Sequence, residues 1–307
     1  MIGRISCCIH GECVMTRTNR PKAQHYVPQF YLRNFATKNR KHYSIRCFDK
    51  STGKAFTSNV KNVSQQNYFY DFKLENGEEA SIEELLSRVE TNSKPALSRL
   101  LEKPTRECLE QNKYVLTNFV YIQEMRSLVF RENYIEMITS LNSRFKQKLN
   151  IDSPILEVPT QNDAKEFQAM FLIEETEEVT RILGKMKWVL FHNETNKPFW
   201  TSDNPIFHHN INISNSHGNY GLLCPGVQLF FPLSPALALI ICDPLAYGKI
   251  PNEIFADEED VEFQNRGQIV SSKQYLFASE GDFSLAKMLL EKRPKLSDPN
   301  RLRYRFR

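Results

Sequence analysis

Six polar residues, widely separated in the chain, have side chains that suit acid–base chemistry on an anionic substrate. They are His25, Gln29, Arg126, Asp203, Asn204 and Asn265. Together they supply an imidazole, a carboxylate, a guanidinium and three amides, the groups that transfer protons and hold a charged substrate. If folding brings them into one cleft, we expect His25 to be the catalytic acid or base and Asp203 to position a metal or a water molecule. Arg126 would then hold phosphate, with the three amides binding substrate.

Each of these residues also has a purely structural interpretation. His25 lies in an aromatic segment, where an imidazole can simply pack. Arg126 interrupts an apolar helical pattern, and a buried arginine needs an internal acidic partner such as Asp203 or a glutamate. Asp203 precedes Asn-Pro205, which favours a turn, and Asn265 favours a helix cap. The sequence leaves both interpretations open.

Metal binding is a second possibility for the same region. Asp203 is followed by His208, His209 and His217, although their spacing is loose and they fall in an expected loop. A separate group near the start of the chain is Cys7, Cys8, His10 and Cys13. Its spacing matches no standard zinc finger, and no second cluster completes it. A divalent metal is therefore kept open as a cofactor, with Asp203, His208 and His209 as its candidate ligands.

Composition bounds the class of protein. The chain has 307 residues, of which 41% are hydrophobic and 25% charged, as is typical of a globular domain. A net charge of +4 is too small to indicate nucleic acid by itself. Residues 291–307 form a basic tail that suits nucleic acid or an acidic partner, or else a solvated chain end. From residue 293 onwards its charges are Arg293, Lys295, Arg301, Arg303, Arg305 and Arg307 against Asp298.

Cysteine usage and hydropathy point to the cytoplasm. The seven cysteines are odd in number and scattered, which favours a reduced compartment. Residues 1–13 lack the apolar stretch of a secretory signal, and residues 1–21 are predicted to be a disordered leader, with Met15 as an alternative start. The longest apolar run, residues 235–242, is far shorter than the roughly 20 residues that cross a bilayer. No membrane association is expected.

The elements that must position these residues form an α+β pattern. Strands are predicted at residues 43–48, 55–63, 187–193, 199–201, 227–231, 236–242 and 274–279. Helices are predicted after a capping box at residues 81–84, from Pro95 to residue 101, over 106–149 as one or two helices, over 163–186 and over 285–290. We therefore expect a single domain, residues 22–290. Its central helical block would pack on a mixed or antiparallel sheet built from N-terminal and C-terminal strands.

Two motifs resemble the domain of unknown function 4238 family, which is found widely in bacteria. They are His25-Tyr-Val-Pro-Gln-Phe-Tyr-Leu-Arg-Asn-Phe35 and Ser202-Asp203-Asn204-Pro205. Further pieces fit in the same order: Phe69-Tyr70, residues 85–90, Gln123-Glu-Met-Arg126, residues 231–235 and Asn265. The resemblance spans about residues 24 to 280. It departs after Arg126, where Ser-Leu stands in place of an expected proline. The family carries no settled activity, so the resemblance supports the choice of positions and not their roles.

Two functions follow from this sequence, and it does not decide whether the protein is an enzyme. The first is a hydrolase, in particular a nuclease, that acts on a phosphate-bearing substrate through His25 and Asp203. The second is a non-catalytic module that binds nucleic acid or a small anion with the same residues. Geometry separates both from a structural role, because a functional site needs His25 and Asp203 in one solvent-open pocket.

Overall fold

The computed structural model describes residues 21–150, 153–212 and 221–302. The N-terminal part contains β1 (Ala23–His25), α1 (Gln29–Leu32), β2 (Thr37–Asn39), β3 (His42–Asp49), β4 (Lys54–Asn59), β5 (Gln65–Asn67), β6 (Asp71–Lys73) and β7 (Glu79–Ser81). The helical block contains α2 (Glu83–Glu102), α3 (Arg106–Met125), α4 (Leu128–Leu149), α5 (Gln161–Glu174) and α6 (Thr176–Lys185). The predicted leader with its cysteine group, His217 and the end of the basic tail lie outside the described residues.

The C-terminal part returns to strands. It contains β8 (Lys187–Asn193), β9 (Thr201–Ser202), β10 (Phe207–Asn210), β11 (Val227–Ser234), β12 (Leu237–Cys242), α7 (Pro244–Tyr247), β13 (Glu253–Ala256), α8 (Glu258–Ser271), β14 (Tyr275–Ala278) and α9 (Ser284–Lys292). Strands therefore stand on both sides of the helical block, and the α+β prediction is confirmed. No helix within the described ranges has both the length and the apolar character needed to cross a membrane.

Two five-stranded sheets form the framework. One has the order β10-β11-β12-β8-β13 and is antiparallel except for the parallel pair of β13 with β8. The other joins N-terminal and C-terminal strands in the order β2-β3-β14-β9, with β4 paired to β3. The second sheet confirms the prediction that N-terminal and C-terminal strands pair in one sheet. Two-stranded pairs, β1 with β5 and β6 with β7, complete the strand pairing of the described chain.

The first sheet is buried on both faces. Phe231, Leu239 and Ile241 belong to the main core, which also includes buried residues of α2, α3 and α6. Alternate residues of the same strands, such as Phe230 and Ile240, form a second cluster on the side of α8. Because successive side chains point to opposite faces, a strand covered on both sides must be apolar throughout, as all six residues of β12 are.

Three details of the predicted helices are wrong. Pro95 lies inside α2 instead of opening a new helix, because the buried residues Leu86, Leu97 and Leu100 pack along one continuous helix. Residues 81–84 form no capping box: Ile82 is the N-cap and makes no side-chain capping bond. The predicted helix over residues 163–186 is divided at Glu175 into α5 and α6.

The remaining expectations for this part of the chain have mixed outcomes. The long pattern over residues 106–149 forms two helices, because Ser127 caps α4 by accepting a hydrogen bond from the Phe130 amide at 3.0 Å. The strand expected beside β8 at residues 199–201 is instead β9, which pairs with β14. The sequence interpretation also missed β10, β13 and α8. A Cβ atom at Gly267 would lie 2.1 Å from Phe207 Cζ, so glycine permits the close approach of α8 to β10.

Candidate functional site

Arg126 ends α3 with its side chain buried, only 1% exposed. Its Nη1 donates to Glu90 Oε1 at 2.9 Å, its Nε to Tyr70 Oη at 3.0 Å, and its Nη2 to the His25 carbonyl at 2.6 Å. Burial disfavours the charged guanidinium, but Tyr70 and Glu90 outweigh that cost and raise the pKa of Arg126. The internal ion pair considered for Arg126 is therefore present, and its partner is Glu90.

The His25 ring is held by a backbone carbonyl. His25 is the last residue of β1, and its ring Nε2 lies 3.1 Å from the backbone carbonyl oxygen of Lys61. A carbonyl oxygen only accepts, so Nε2 carries the proton, and Nδ1 makes no hydrogen bond to any described residue. Burial lowers the pKa of His25, as does the charge of Arg126, while the Lys61 carbonyl and Glu90 oppose that shift. The imidazole is therefore neutral near pH 7, with a basic nitrogen at Nδ1.

Glu83, in the first turn of α2, is a titratable group that the sequence interpretation missed. Its Oε2 atom is buried and has no hydrogen-bond partner among the described residues. Burial raises the pKa of Glu83 to about 7; Arg126 opposes the shift, and Glu90 and Asp71 add to it. The sequence signal was present at residues 81–84 but was assigned to helix capping. We call His25, Tyr70, Glu83, Glu90 and Arg126 the Arg126 cluster.

Asp203 follows β9 and is 2% exposed. Its Oδ1 accepts from the Lys273 amide at 2.7 Å, and its Oδ2 accepts from the Gln274 and Tyr275 amides at 2.7 and 2.8 Å. The carboxylate therefore fixes the chain where β14 begins. We call this arrangement the Asp203 anchor. Burial raises the pKa of Tyr26, and the Asp203 charge adds to that shift, so the anchor acts electrostatically on the residue next to His25.

Asn204 and Asn265 lie near the anchor. Asn204 Nδ2 donates to the Ser271 carbonyl at 3.3 Å. Asn265 Oδ1 accepts from the Trp200 amide at 2.8 Å, and its Nδ2 donates to the Pro198 carbonyl at 2.9 Å. The prediction that Asn265 caps a helix is wrong, because it lies inside α8, whose caps are Asp257 and Ser272.

Two glutamine side chains complete the description of the buried and half-buried amides near the site. The sequence interpretation missed Gln268, which accepts from Ser202 Oγ and donates to the Pro205 carbonyl, both at 2.7 Å. Gln29 begins α1, is half-buried, and makes no side-chain hydrogen bond to the described residues. Gln29 is therefore the amide of the predicted set that keeps its polar atoms available beside β1.

The candidate metal ligands have other contacts. His208 Nε2 lies 2.6 Å from Glu124 Oε1. His209 meets the Phe263 ring edge-on, with 5.3 Å between ring centroids, and Asp203 accepts three backbone amides. Within residues 21–150, 153–212 and 221–302, no group of three or more His, Cys, Asp and Glu side chains is arranged to hold a metal ion.

A cleft of about 1000 Å³ lies between β6 and the first turns of α5. Its acidic lining residues are Asp71, Glu75, Glu79, Asp163 and Glu166, and its one lysine is Lys73. Burial raises the pKa of Glu166, as do the neighbouring Asp163 and Glu75. None of the six residues singled out in the sequence lines this cleft. Its charge is unsuited to a polyanion, and it does not bring His25 and Asp203 together in the solvent-open pocket that a functional site would need.

Five of the six predicted residues thus form two groups, and Gln29 bonds to neither. Arg126 directly contacts His25, whereas Asp203, Asn204 and Asn265 bind the backbone of residues 198–200 and 271–275. The family described as "Protein of unknown function (DUF4238)" matches residues 23–282, which is 260 of the 307 residues. No curated protein and no solved structure matches the chain. The order of the motifs and the length of the match lead to one assignment: the chain belongs to the DUF4238 family.

Proposed function

We propose that this protein is an acid–base hydrolase that acts on a phosphate-bearing substrate, with His25 as the general base. The observation that supports the proposal is the fixed tautomer of the ring. With Nε2 committed to the Lys61 carbonyl, Nδ1 is the nitrogen that accepts a proton. A general base must be unprotonated at the working pH, and the lowered pKa of His25 meets that requirement.

Glu83 is the complementary acid in this proposal. The charges of Arg126 and Glu90 act on both His25 and Glu83. The pKa of His25 is lowered and that of Glu83 is raised to about 7, which is the order that a base and an acid of one site require. In the proposed reaction His25 removes the proton from an attacking water or hydroxyl, whose oxygen forms a bond to phosphorus. The bond from phosphorus to the leaving oxygen breaks, and that oxygen takes the proton of Glu83.

Arg126 has a positioning role in this scheme. Its three hydrogen bonds to Glu90, Tyr70 and the His25 carbonyl commit the buried guanidinium to the protein, which argues against direct contact with phosphate. The exposed Lys61 is a better phosphate contact, because it lies on the segment that holds the His25 ring. Gln29 and Asn204, both half-buried, are kept as substrate-binding residues.

Asp203 is proposed to support the site from the neighbouring sheet. Its three backbone hydrogen bonds favour an anchoring role over the positioning of a metal or water.

A nuclease is the form of hydrolase that we favour. The second candidate is a module that binds nucleic acid or a small anion without turnover, and the exposed Lys61 beside the His25 ring is compatible with it. The cytoplasm is the proposed location for either function.

The test is hydrolysis by the purified full-length chain. Substrates are bis(p-nitrophenyl) phosphate and fluorophore–quencher RNA and DNA oligonucleotides, each with Mg²⁺, with Mn²⁺ or with EDTA. We expect cleavage that falls at least about a hundredfold in His25→Gln, the loss typical of a missing general base. His192→Gln, a substitution of a half-buried histidine on β8, is the matched control and should retain the rate.

Circular dichroism establishes that both variants fold. A His25→Gln protein that hydrolyses as fast as the His192→Gln protein contradicts the proposed role of His25. Binding of the oligonucleotides without any turnover by the unaltered chain would support the second candidate instead. The three metal conditions determine at the same time whether a divalent ion takes part in the reaction.

A further inference from the structure

The surface next to His25 is strongly basic. Between residues 21 and 70 the one acidic residue is Asp49. The exposed cations of this stretch are Lys22, Lys38, Arg40, Lys41, Lys54 and Lys61. The net charge of the whole chain is only +4, so it does not reveal this local excess of positive charge. Acidic residues balance it elsewhere, as in the cleft beside β6. A basic surface of this kind attracts a polyanion.

Three of these cations belong to the hairpin that joins β2 to β3, residues 37–42, which we call the basic hairpin. Lys38 pairs with Tyr43 and Asn39 with His42, so Arg40 and Lys41 form the tip. Arg40 has a φ of 50° there, in the left-handed region that a tight turn uses. Arg33 lies over the Tyr43 ring at 5.1 Å and adds a further positive charge at the base.

Strand pairing connects the basic hairpin to His25. Ser44, at the base of the hairpin, pairs with Asn59 at the end of β4. The chain then turns through Val60–Asn62, where the Lys61 carbonyl contacts the His25 ring. At about 3.4 Å per residue, His42 lies roughly 7 Å along the strand from Ser44. The positive charges therefore continue from the hairpin to the proposed base.

We infer that the basic hairpin and Lys61 bind a single-stranded nucleic acid and direct its backbone towards His25. Binding stands on the charge of this surface alone, while cleavage of the bound strand rests on the proposed function. The exposed ring of Phe56, 44% accessible on β4 of the same sheet, supplies a face on which an unpaired base stacks. The acidic cleft beside β6 repels a phosphate backbone.

Arg301, in the described part of the basic tail, is less available to a ligand than the cations of the basic hairpin. Within the described part of the tail, Arg301 donates to the carbonyls of Val270 and Ser272 at 2.6 and 2.9 Å. Those contacts hold it against α8 and direct its donors away from a ligand. Lys38, Arg40 and Lys41, by contrast, are exposed on a projecting hairpin. The hairpin can follow a phosphate backbone without first breaking internal bonds.

The test measures binding in the His25→Gln background, so that turnover does not consume the probe. Fluorescence anisotropy is recorded with a labelled 20-nucleotide RNA, a DNA of the same sequence, and the duplex of each. The variant carries Lys38→Ala, Arg40→Ala and Lys41→Ala. The matched control carries Lys185→Ala, Lys249→Ala and Lys287→Ala, which removes the same charge from exposed positions outside both the hairpin and the basic tail.

We expect the hairpin variant to bind single strands at least about tenfold more weakly, and the slope of log K against log salt to fall by about 2 for three lost phosphate contacts. The charge-matched control should bind within about twofold of its parent, because its lysines lie outside the interface. Phe56→Ala should weaken binding at least about fivefold through lost stacking, whereas Phe255→Ala, another exposed ring, should not.

Equal losses in the hairpin variant and its control would overturn the inference, as would tighter binding of duplex than of single strands. Failure of every nucleic acid to bind would overturn it too. The RNA and DNA arms identify which single strand is preferred. Tight, hairpin-dependent binding by the chain with intact His25, but no cleavage, would overturn the proposed function and leave this interface standing.

Discussion

The Arg126 cluster and the Asp203 anchor are both buried polar centres, but they differ in what they bind. Arg126 donates to a carboxylate, a phenol and one carbonyl. Asp203 accepts from three backbone amides. The first centre is linked to two side chains with shifted pKa values: that of His25 is lowered, and that of Glu83 is raised to about 7. The hydrogen-bond partners of the second are main-chain amides, which do not titrate. Equally buried centres therefore differ in kind: one couples to titratable side chains, and the other fixes the course of the backbone.

The difference also bears on how each centre can change. Protonation of Glu83 or His25 alters the charge around Arg126, so the cluster responds to pH and to a bound anion. The anchor changes only if residues 273–275 move, because its partners are main-chain amides. A substitution in the cluster should therefore affect both stability and any pH-dependent activity. A substitution in the anchor should affect stability alone.

The largest effect is expected for Arg126→Ala. Removing the guanidinium leaves the Glu90 carboxylate and the His25 carbonyl without their partner, and breaking a buried pair in this way costs about 3–5 kcal/mol. Urea unfolding at pH 7 measures the loss. Arg88→Ala, which removes an exposed i,i+4 pair with Glu84 on α2, is the control and should change the free energy of unfolding by less than about 1 kcal/mol. Equal losses in the two variants would show that Arg126 is not the centre of the cluster.

Glu83→Gln is expected to stabilise the protein at alkaline pH. The pKa of Glu83 is about 7 in the folded chain against 4.5 normally, so ionisation is unfavourable to folding. The stability contributed by protonated Glu83 is complete below pH 4.5 and is lost as the pH rises through 7. At pH 8 the variant should be more stable than the parent by up to about 3 kcal/mol.

Unfolding by urea at pH 4 and pH 8 measures this gain. It should be present at pH 8 and absent at pH 4. Glu107→Gln, a change at an exposed position in the first turn of α3, controls for loss of a carboxylate and should show no such pH dependence. A gain of the same size at both values of pH would mean that burial does not control the ionisation of Glu83.

A smaller loss is expected for Asp203→Asn. The amide keeps one accepting oxygen but places an NH₂ group against backbone N–H groups, which costs about 2 kcal/mol. Hydrolysis per folded molecule should stay within about threefold of the parent if Asp203 is only an anchor. A role in positioning water or metal predicts a loss of at least about a hundredfold. Rates corrected for the folded fraction therefore decide between the two roles.

The parts of the fold that could be predicted have strong apolar patterns. Strand β3 alternates, β12 is apolar throughout, and both were recognised within about one residue at each end. Helix α8 was missed because its buried side includes the amides Gln264, Asn265 and Gln268, which leave no apolar period to detect. Hydrogen bonds from Asn265 and Gln268 to residues 198–205 compensate for the burial of these amides. Those partners lie more than 60 residues earlier in the chain, so the helix sequence alone does not reveal them.

The site was predictable to a similar degree. A lone arginine in an apolar helical pattern demands a partner, and that requirement singled out Arg126. It did not identify Glu90, 36 residues earlier, because the choice depends on how α2 packs against α3. The carbonyl that fixes the His25 ring was equally hidden, since Lys61 reaches it only through the pairing of β1 with β5. Partner identity is a property of the tertiary structure, while the need for a partner is visible in the sequence.

The smallest and most selective effect is expected for Tyr70→Phe, because this hydroxyl connects both sides of the Arg126 cluster. It accepts from Arg126 Nε at 3.0 Å and donates to the His25 carbonyl at 3.2 Å. Its loss should cost about 1–2 kcal/mol, and Tyr31→Phe, which removes a buried hydroxyl bonded to the Pro232 carbonyl, should cost about as much. Tyr70→Phe alone should alter the acid limb of the pH–rate profile, because it frees the segment that holds His25. Identical profiles for the two variants would mean that the cluster, like the anchor, is only scaffolding.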